Sequence, residues 1–358
     1  MGIDIRFTDD DWSRIERDWR AWWAGDLDRA MVMVERVGAR EGRAHPKGMP
    51  RTNEFMLNSP VDEFLDIYQE QLESTVWYGD AFPRVWLNFG PGIVSGFLGG
   101  QVEFDNNTTW FGPGKDTALE AIRPTFDPNN VWWRRIVAIT QRAVERWRGQ
   151  VCVSHTDLGG NLDIIASLRE TQPLLMDLLD SPQQVDRLVR QVTQCWLRYY
   201  DELYQIIKTG GRGTTPWAPI WSPKRTYMTQ CDFSYMISPA MFERFVIPDL
   251  AACCDAMEHC FYHLDGPGQI PHVDLLLSLE KLRGIQWICG DGHGPTEKWL
   301  TLLKRIIDGG KLCQLFVSPE GARTIVRELG GRGFALFTRA EGLSDAQVRQ
   351  LVDDLGAG

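Results

Sequence analysis

Strand-like and helix-like segments alternate along the chain from Arg84 onward, and this alternation constrains the fold more than any other feature. Short apolar runs lie at 84–89, 151–157, 214–221, 260–265, 285–289, 312–317 and 334–338, with amphipathic stretches between them. Alternating strands and helices indicate a parallel sheet built from strand–helix units. With about seven such units and no linker between them, we expect an α/β fold of the (β/α)8 TIM barrel type rather than an open doubly wound sheet. No Gly-x-Gly-x-x-Gly motif follows a strand, which disfavours a dinucleotide-binding sheet.

The first 80 residues have a different pattern. The stretches "DDDWSRIERDWRAWWAG" and "SPVDEFLDIYQEQLESTVWYG" have apolar residues at helical spacing, and the second has Ser59 as an N-cap and Pro60 in the first turn. We therefore expect residues 1–80 to form a helical extension packed on a barrel of residues 81–358.

Composition excludes some partners. The formal net charge is −10, and Lys and Arg form no cluster that would bind nucleic acid. No apolar run approaches the roughly 20 residues that cross a bilayer, and the N-terminus lacks the layout of a signal peptide. The eight cysteines form no C-x-x-C motif, so we expect reduced thiols, a cytoplasmic location, and contact with neither membrane nor nucleic acid.

Polar residues follow the apolar runs where a barrel of this type carries its chemistry, at the carboxyl ends of the strands. These residues are Asn88, His155, Asp157, His263, Asp265, Asp291, His293 and Glu341. In "CFYHLDGPG", His263 and Asp265 are two residues apart and share one face of the strand. An imidazole and a carboxylate on one face are half of a zinc site or an acid/base pair. For Asp157 and Asp291, each beside a glycine, closing a loop is an equally good interpretation.

Two further sets of residues are candidates for the same site. Asp232 follows the 214–221 run, in a loop that would cover the same barrel end, as a turn former or as a ligand or substrate anchor. Tryptophan is abundant, with 15 residues, and most of these are expected in the core. We take Trp217, Trp221 and Trp110 as candidate walls of a substrate pocket.

The stretches "SPAMFERFVIPDL", "FYHLDG" and "GFALFTRAEG" resemble the uroporphyrinogen decarboxylase-like superfamily, which includes zinc-dependent corrinoid methyltransferases. The resemblance covers about residues 150–355 and, more weakly, 79–104, and it implies a (β/α)8 barrel. In the methyltransferase branch a His-x-Cys-Gly motif and a later cysteine bind zinc. His263 matches that histidine, Asp265 stands at the cysteine, and Glu341 lies near the late ligand. This oxygen-rich set suits a hydroxyl, ether or amine substrate better than a thiol.

The resemblance implies methyl transfer between a small substrate and a corrinoid protein. His263, Asp265 and Glu341 would hold zinc, with His263, Asp232 and His155 as catalytic or positioning groups. Asn88, Arg225 and the three tryptophans would bind substrate. Uroporphyrinogen decarboxylase activity itself is not expected, because the arginine-rich N-terminal motif of that branch is absent and "NFGPG" occupies its acidic segment.

Two other functions stay open at the level of sequence. One is a metal-free decarboxylase of a small or cyclic acid, with His263 as proton donor and Arg225 or Arg169 holding the carboxylate. The other is a non-catalytic sensor of an aromatic or cationic ligand in a tryptophan-lined mouth. Bound metal would distinguish the methyltransferase from both.

Overall fold

The computed structural model describes residues 2–106, 108–114 and 117–358, and it is a mixed α/β fold. The strands are β1 Met31–Arg36, β2 Val76–Gly79, β3 Arg84–Val85, β4 Gln101–Phe104, β5 Thr109–Gly112, β6 Cys152–Val153, β7 Thr226–Gln230, β8 His259–Asp265, β9 Leu282–Ile288, β10 Leu312–Val317 and β11 Phe334–Thr338. The helices are α1 Asp9–Ala24, α2 Asn53–Asn58, α3 Val61–Ser74, α4 Val94–Phe97, α5 Val131–Arg146, α6 Asn161–Arg169, α7 Thr171–Asp180, α8 Pro182–Ile207, α9 Pro239–Phe245, α10 Ile247–Ala256, α11 Val273–Ser278, α12 Leu300–Asp308, α13 Pro319–Leu329 and α14 Asp345–Asp354.

Six strands, β1, β11, β10, β9, β8 and β7, lie side by side in parallel, and β2 adds an antiparallel edge next to β1. Strands β3 and β6 form a separate parallel pair, and β4 and β5 an antiparallel pair. The parallel sheet that the alternation predicts is therefore confirmed. Within the described ranges a closed barrel is not detected, because no ladder joins β1 to β3 or β6 to β7.

The expectation of helices alone before residue 80 is wrong at β1 and β2. Residues Met31 to Val34 are all buried, with Val32 and Val34 in one apolar cluster and Met31 and Met33 in another. A strand buried on both faces has no polar residue at every second position, so the alternation that marks a half-buried strand is missing.

The run 214–221 is also not a strand. Thr214 makes a single bridge to Ser222, and the strand of this region is β7, just beyond it. Pro216 and Pro219 interrupt the run, and proline has no N–H to donate to a ladder.

Helix α1 covers the interior of the sheet at the amino ends of the strands. Its N-terminus is fixed by a capping box between Thr8 and Asp11, and it ends at Gly25 in the left-handed region. Its tryptophans pack with residues of β1, β7 and β8 in a cluster that we call the tryptophan plug: Trp12, Trp19, Trp22, Trp23, Met33, Phe82, Trp221, Met228 and Phe261. The amino end of the strands is thus filled by aromatic rings. No helix of the described residues has the length and apolar character needed to cross a bilayer.

Candidate metal and substrate site

Three potential metal ligands meet at the carboxyl ends of β7 and β8. Asp232, His263 and Asp265 each offer one ligand atom, and these atoms lie within 4.8 Å of one another. The register of the sheet explains the meeting: Gln230 of β7 pairs with His263 of β8, so Asp232, two residues later, comes beside Asp265. We call these three residues the donor cluster.

A chain of two glutamines, one on each of the next two strands, fixes the ring of His263, and the first of them contacts it directly. His263 Nδ1 hydrogen-bonds to Gln286 Oε1, and Gln286 Nε2 donates to Gln314 Oε1. Because Gln286 presents a carbonyl oxygen, Nδ1 carries the proton, and the lone pair of Nε2 is left for the cluster. Nε2 lies 3.9 Å from Oδ2 of Asp265.

The backbone at Asp232 is fixed by hydrogen bonds to the carboxylate of Asp163. The N–H groups of Asp232 and Phe233 donate to the carboxylate of Asp163, at 3.0 and 2.7 Å, at the start of a 3-10 helix. Burial and, after it, the nearby charge of Asp232 together raise the pKa of Asp163 to about 7. Burial also raises the pKa of Asp265, against the lowering effect of His263. The carboxylates here are crowded, an arrangement that a bound cation would relieve.

The donor cluster opens into a cavity of about 480 Å³. Besides Asp232 and His263, its lining includes Arg51, Trp86, Asn88, Asp157, Trp217 and Gln230. The Trp217 ring meets His263 edge-on, with 5.2 Å between centroids, and Trp86 lies 6.4 Å from Trp217. A small pocket with aromatic walls and a few convergent polar groups is the usual form of a small-molecule site.

Several residues singled out in the sequence come together here. Asn88, Trp217, Asp232 and His263 line the cavity, and Asp265 completes the donor cluster. Asp157, for which two interpretations were open, also lines it while its Oδ1 accepts from Gly159 N at 2.9 Å. Burial raises the pKa of Asp157 to about 7.

Glu341 does not join the donor cluster. It lines another cavity of about 430 Å³, together with Arg339 and Glu297, beyond the end of β11. Strands β9 and β10 stand between β8 and β11 in the sheet, which separates Glu341 from His263. Among the described residues Asp232, for which the sequence left a turn former, a ligand or a substrate anchor open, takes the third place in the cluster.

Two predicted substrate-binding residues lie at the opposite end of the strands. Arg225 precedes β7, forms an ion pair with Asp201 at 2.8 Å and lies over the ring of Tyr204. Trp221 belongs to the tryptophan plug, and its Nε1 donates to the carbonyl of Arg212 at 2.7 Å. Both side chains have structural partners, and neither faces the donor cluster.

His155 and Trp110 are also outside the cavity lining. His155 is fully buried and stacks on Tyr200 with 4.5 Å between ring centroids. Burial lowers the pKa of His155 to about 3, so the ring is neutral and serves the core. Trp110 lies on β5, is 63% exposed and donates to Asp105 at 2.9 Å.

Arg51, Trp86 and Gln230 line the cavity although none of them is predicted from the sequence. For Trp86 a signal existed, because it is two residues before Asn88 and alternation places both on one face. Gln230 lies opposite His263 only through the register of two strands. Arg51 lies in the segment between β1 and α2 and carries no local signal.

Known proteins resemble this chain in fold but not in sequence. No protein-family model matches the chain, and no curated protein does. Among solved structures, a methyltransferase from Methanosarcina mazei matches with a TM-score of 0.62 and 12% identity, over 98% of this chain and 99% of that one. The two proteins share a fold. A B12-independent methionine synthase from Shewanella sp. W3-18-1, in complex with selenomethionine, matches with a TM-score of 0.37 and 13% identity, over 73% and 74% of the chains. At these identities the likeness concerns the fold, and the second match is too weak to carry an argument.

Proposed function

We propose that this protein is a metal-dependent methyltransferase that removes a methyl group from a small methylated substrate and passes it to a corrinoid protein. We further propose that it belongs to the uroporphyrinogen decarboxylase-like superfamily, with β1, β3 and β6 to β11 as the eight strands of its barrel. The observation that carries the proposal is the donor cluster in the cavity at the carboxyl ends of parallel strands. The fold shared with a methyltransferase supports it.

The residues of the cluster fit a zinc ion. One neutral imidazole nitrogen and two carboxylates give three protein ligands, which leaves a coordination position for substrate. The hydrogen bond from His263 Nδ1 to Gln286 is the outer contact that metal-binding histidines ordinarily make. A divalent metal supplies Lewis acidity, which polarises the heteroatom that bears the methyl group. Asp232 replaces Glu341 in the ligand set proposed from sequence.

The remaining side chains of the cavity position the substrate and manage protons. Trp86 and Trp217 form an apolar wall that limits the water around the reacting atoms. When the bond between heteroatom and methyl carbon breaks, its electron pair stays on the heteroatom, which then needs a proton. Asp157 lines the cavity, its carboxylate accepts from the backbone N–H groups of Gly159 and Gly92, and burial raises its pKa, so this carboxyl group would hold that proton.

The decarboxylase alternative loses the arginines chosen for it. Arg169 pairs with Asp177 at 2.7 Å, and Arg225 pairs with Asp201. The sensor alternative has its tryptophan wall at Trp86 and Trp217, but it gives no role to the donor cluster. Metal content therefore separates our proposal from both.

The test is zinc content by mass spectrometry, together with methyl transfer from methylated amines and ethers to cob(I)alamin. We expect one zinc per wild-type chain, and loss of zinc and turnover in His263→Ala. His293→Ala, which changes an exposed histidine outside the donor cluster, is the matched control and should keep both. Asp232→Asn should lower zinc affinity, and Glu341→Gln should not. A zinc-free wild type after reconstitution, or full zinc in His263→Ala, would overturn the proposal.

A further inference from the structure

A second cavity adjoins the one that holds the donor cluster. It has a volume of about 310 Å³ and lies between β1, β3 and α3, with Glu35, Tyr68 and Arg84 in its lining. Arg51, Trp86 and Asn88 line both cavities. Arg51 thus lies at the junction, whereas Asp157 and Asp232 line the first cavity alone.

Arg51 is a cation without an anionic partner among the described residues. Its Nη2 donates to Oγ1 of Thr109 at 2.7 Å, and its Nε is buried and has no acceptor. Phe104 supports the guanidinium plane from one side, with its ring centroid 5.4 Å from Cζ. Arg84, the other arginine of the second cavity, differs in being paired with Glu35 at 3.2 Å.

A half-buried guanidinium with an unused N–H is an incomplete arrangement. Leaving a buried donor of a charged group unsatisfied is costly, and a carboxylate that accepts two parallel hydrogen bonds is the partner that the arginine fork fits best. Thr109 is a neutral acceptor and leaves this charge uncompensated. The missing acceptor therefore belongs to a molecule that enters the cavity.

We infer that Arg51 is the anion subsite of the substrate cavity. Resting on the proposed function, this names the substrate class: a small carboxylic acid that also bears an N-methyl or O-methyl group. The carboxylate lies at Arg51, the methylated heteroatom lies at the donor cluster, and Trp86 and Trp217 flank the part of the molecule between them. Arg51 is basic and the donor cluster has two carboxylates, so the two groups also set the orientation of the substrate.

The test compares compounds that differ only in this charge. Methoxyacetate and 2-methoxyacetamide form one pair, and 4-methoxybenzoate and 4-methoxybenzamide form a longer one, all measured by titration calorimetry. In the wild type we expect the acid of at least one pair to bind about 10- to 100-fold more tightly than its amide, as for a charge-assisted hydrogen bond. Arg51→Gln should remove this preference and leave amide binding unchanged, while Arg51→Lys should keep part of it.

Arg134→Gln is the matched control, because Arg134 is an exposed arginine of α5 away from both cavities. Three results would each overturn the inference. Acid and amide could bind equally in every pair, or the preference for the acid could survive in Arg51→Gln. The third is that no acid binds at about 10 mM, a concentration on the order of the weakest affinity of interest. The binding measurement requires no turnover, so the anion subsite and the metal-dependent methyltransferase can be rejected independently of each other. Arg51-dependent preference in a zinc-free protein would reject the metal enzyme alone, and methyl transfer without any charge preference would reject the anion subsite alone.

Discussion

Strand β8 carries a histidine near each end, and the two side chains are in opposite chemical situations. His259 stacks on Trp23 at 3.9 Å between centroids, and its Nδ1 hydrogen-bonds to Ser222 at 2.8 Å. His263, four residues later, meets Gln286 through Nδ1 and turns Nε2 toward Asp265 and the cavity. The amino end of the strand is closed by the tryptophan plug, and the carboxyl end opens on polar groups. One strand thus packs into the core at one end and lines a cavity at the other, a division that substitutions at each end can test.

The largest effect on stability is expected at the plug. Trp23 is 3% exposed, donates from Nε1 to the carbonyl of Trp221 at 2.8 Å and supports the ring of His259. Trp23→Ala should lower the free energy of unfolding by about 3–5 kcal/mol, because it leaves a large cavity in a packed cluster. Denaturant unfolding measures this change.

Zinc affinity of the folded Trp23→Ala variant should equal that of the wild type. Trp110→Ala is the control, because that side chain is 63% exposed and its loss should cost well under about 1 kcal/mol. A fall in zinc affinity that matches the fall in stability would mean that the two ends of β8 are one unit, and the division would be rejected.

The next effect belongs to the open end, at Gln286. Gln286→Leu removes the acceptor that fixes His263 but touches none of the three donor atoms. Zinc affinity should fall about 10- to 100-fold, the usual cost of losing such an outer contact. Gln286→Glu keeps an acceptor for Nδ1–H and should restore most of the affinity.

A competition titration with a zinc-binding dye gives these affinities, and the thermal unfolding of the metal-free proteins gives the control. If Gln286→Leu loses stability but no zinc affinity, Gln286 is a core residue only. Equal zinc loss in the Leu and Glu variants would also count against a positioning role, since the glutamate retains the hydrogen bond.

Most strands and part of the site could be predicted from the sequence, and the physical reason for success or failure differs from residue to residue. His263 and Asp265 share a face by simple alternation, so their convergence could be predicted without any tertiary information. The contact of His263 with Gln286 depends on the register between β8 and β9, which no local pattern specifies. Glu341 was chosen by resemblance to a late ligand, and the order of the strands places it elsewhere.

The other features that the sequence did not predict are a strand buried on both faces and a residue in a connecting segment. Strand β1 has no alternation to recognise because it lies between β2 and β11 with both faces covered. Arg51 reaches the cavity from the segment before α2, and only the folded chain shows that its Nε has no acceptor. Residues that act through long-range placement are therefore the ones that sequence patterns leave out.

The smallest expected effect, taken over one unit of pH, is a pH dependence at the closed end. Burial, followed by the charges of Arg283 and Lys224, lowers the pKa of His259 to about 3 from 6.5. Between these values the unfolded chain binds a proton that the folded chain does not, so stability falls as the pH falls below about 6.5. Each unit of pH in that window costs up to about 1.4 kcal/mol for one such group, and His259→Gln should reduce the slope by about one proton.

Asp249 provides a control with the opposite sign. Burial raises the pKa of Asp249 to about 7 from 3.8, against hydrogen bonds from Thr193 and Asn161. The folded chain keeps a proton there that the unfolded chain releases, so this group lowers stability as the pH rises from about 4 to about 7. Asp249→Asn should therefore make stability rise more steeply with pH, while His259→Gln makes it rise less steeply.

Urea midpoints of metal-free protein between pH 4 and pH 7, a range chosen to span roughly both windows, measure both slopes. If His259→Gln leaves the slope unchanged, the ring of His259 takes up its proton in the folded state, and the closed end of β8 is more open to water than its packing against Trp23 indicates.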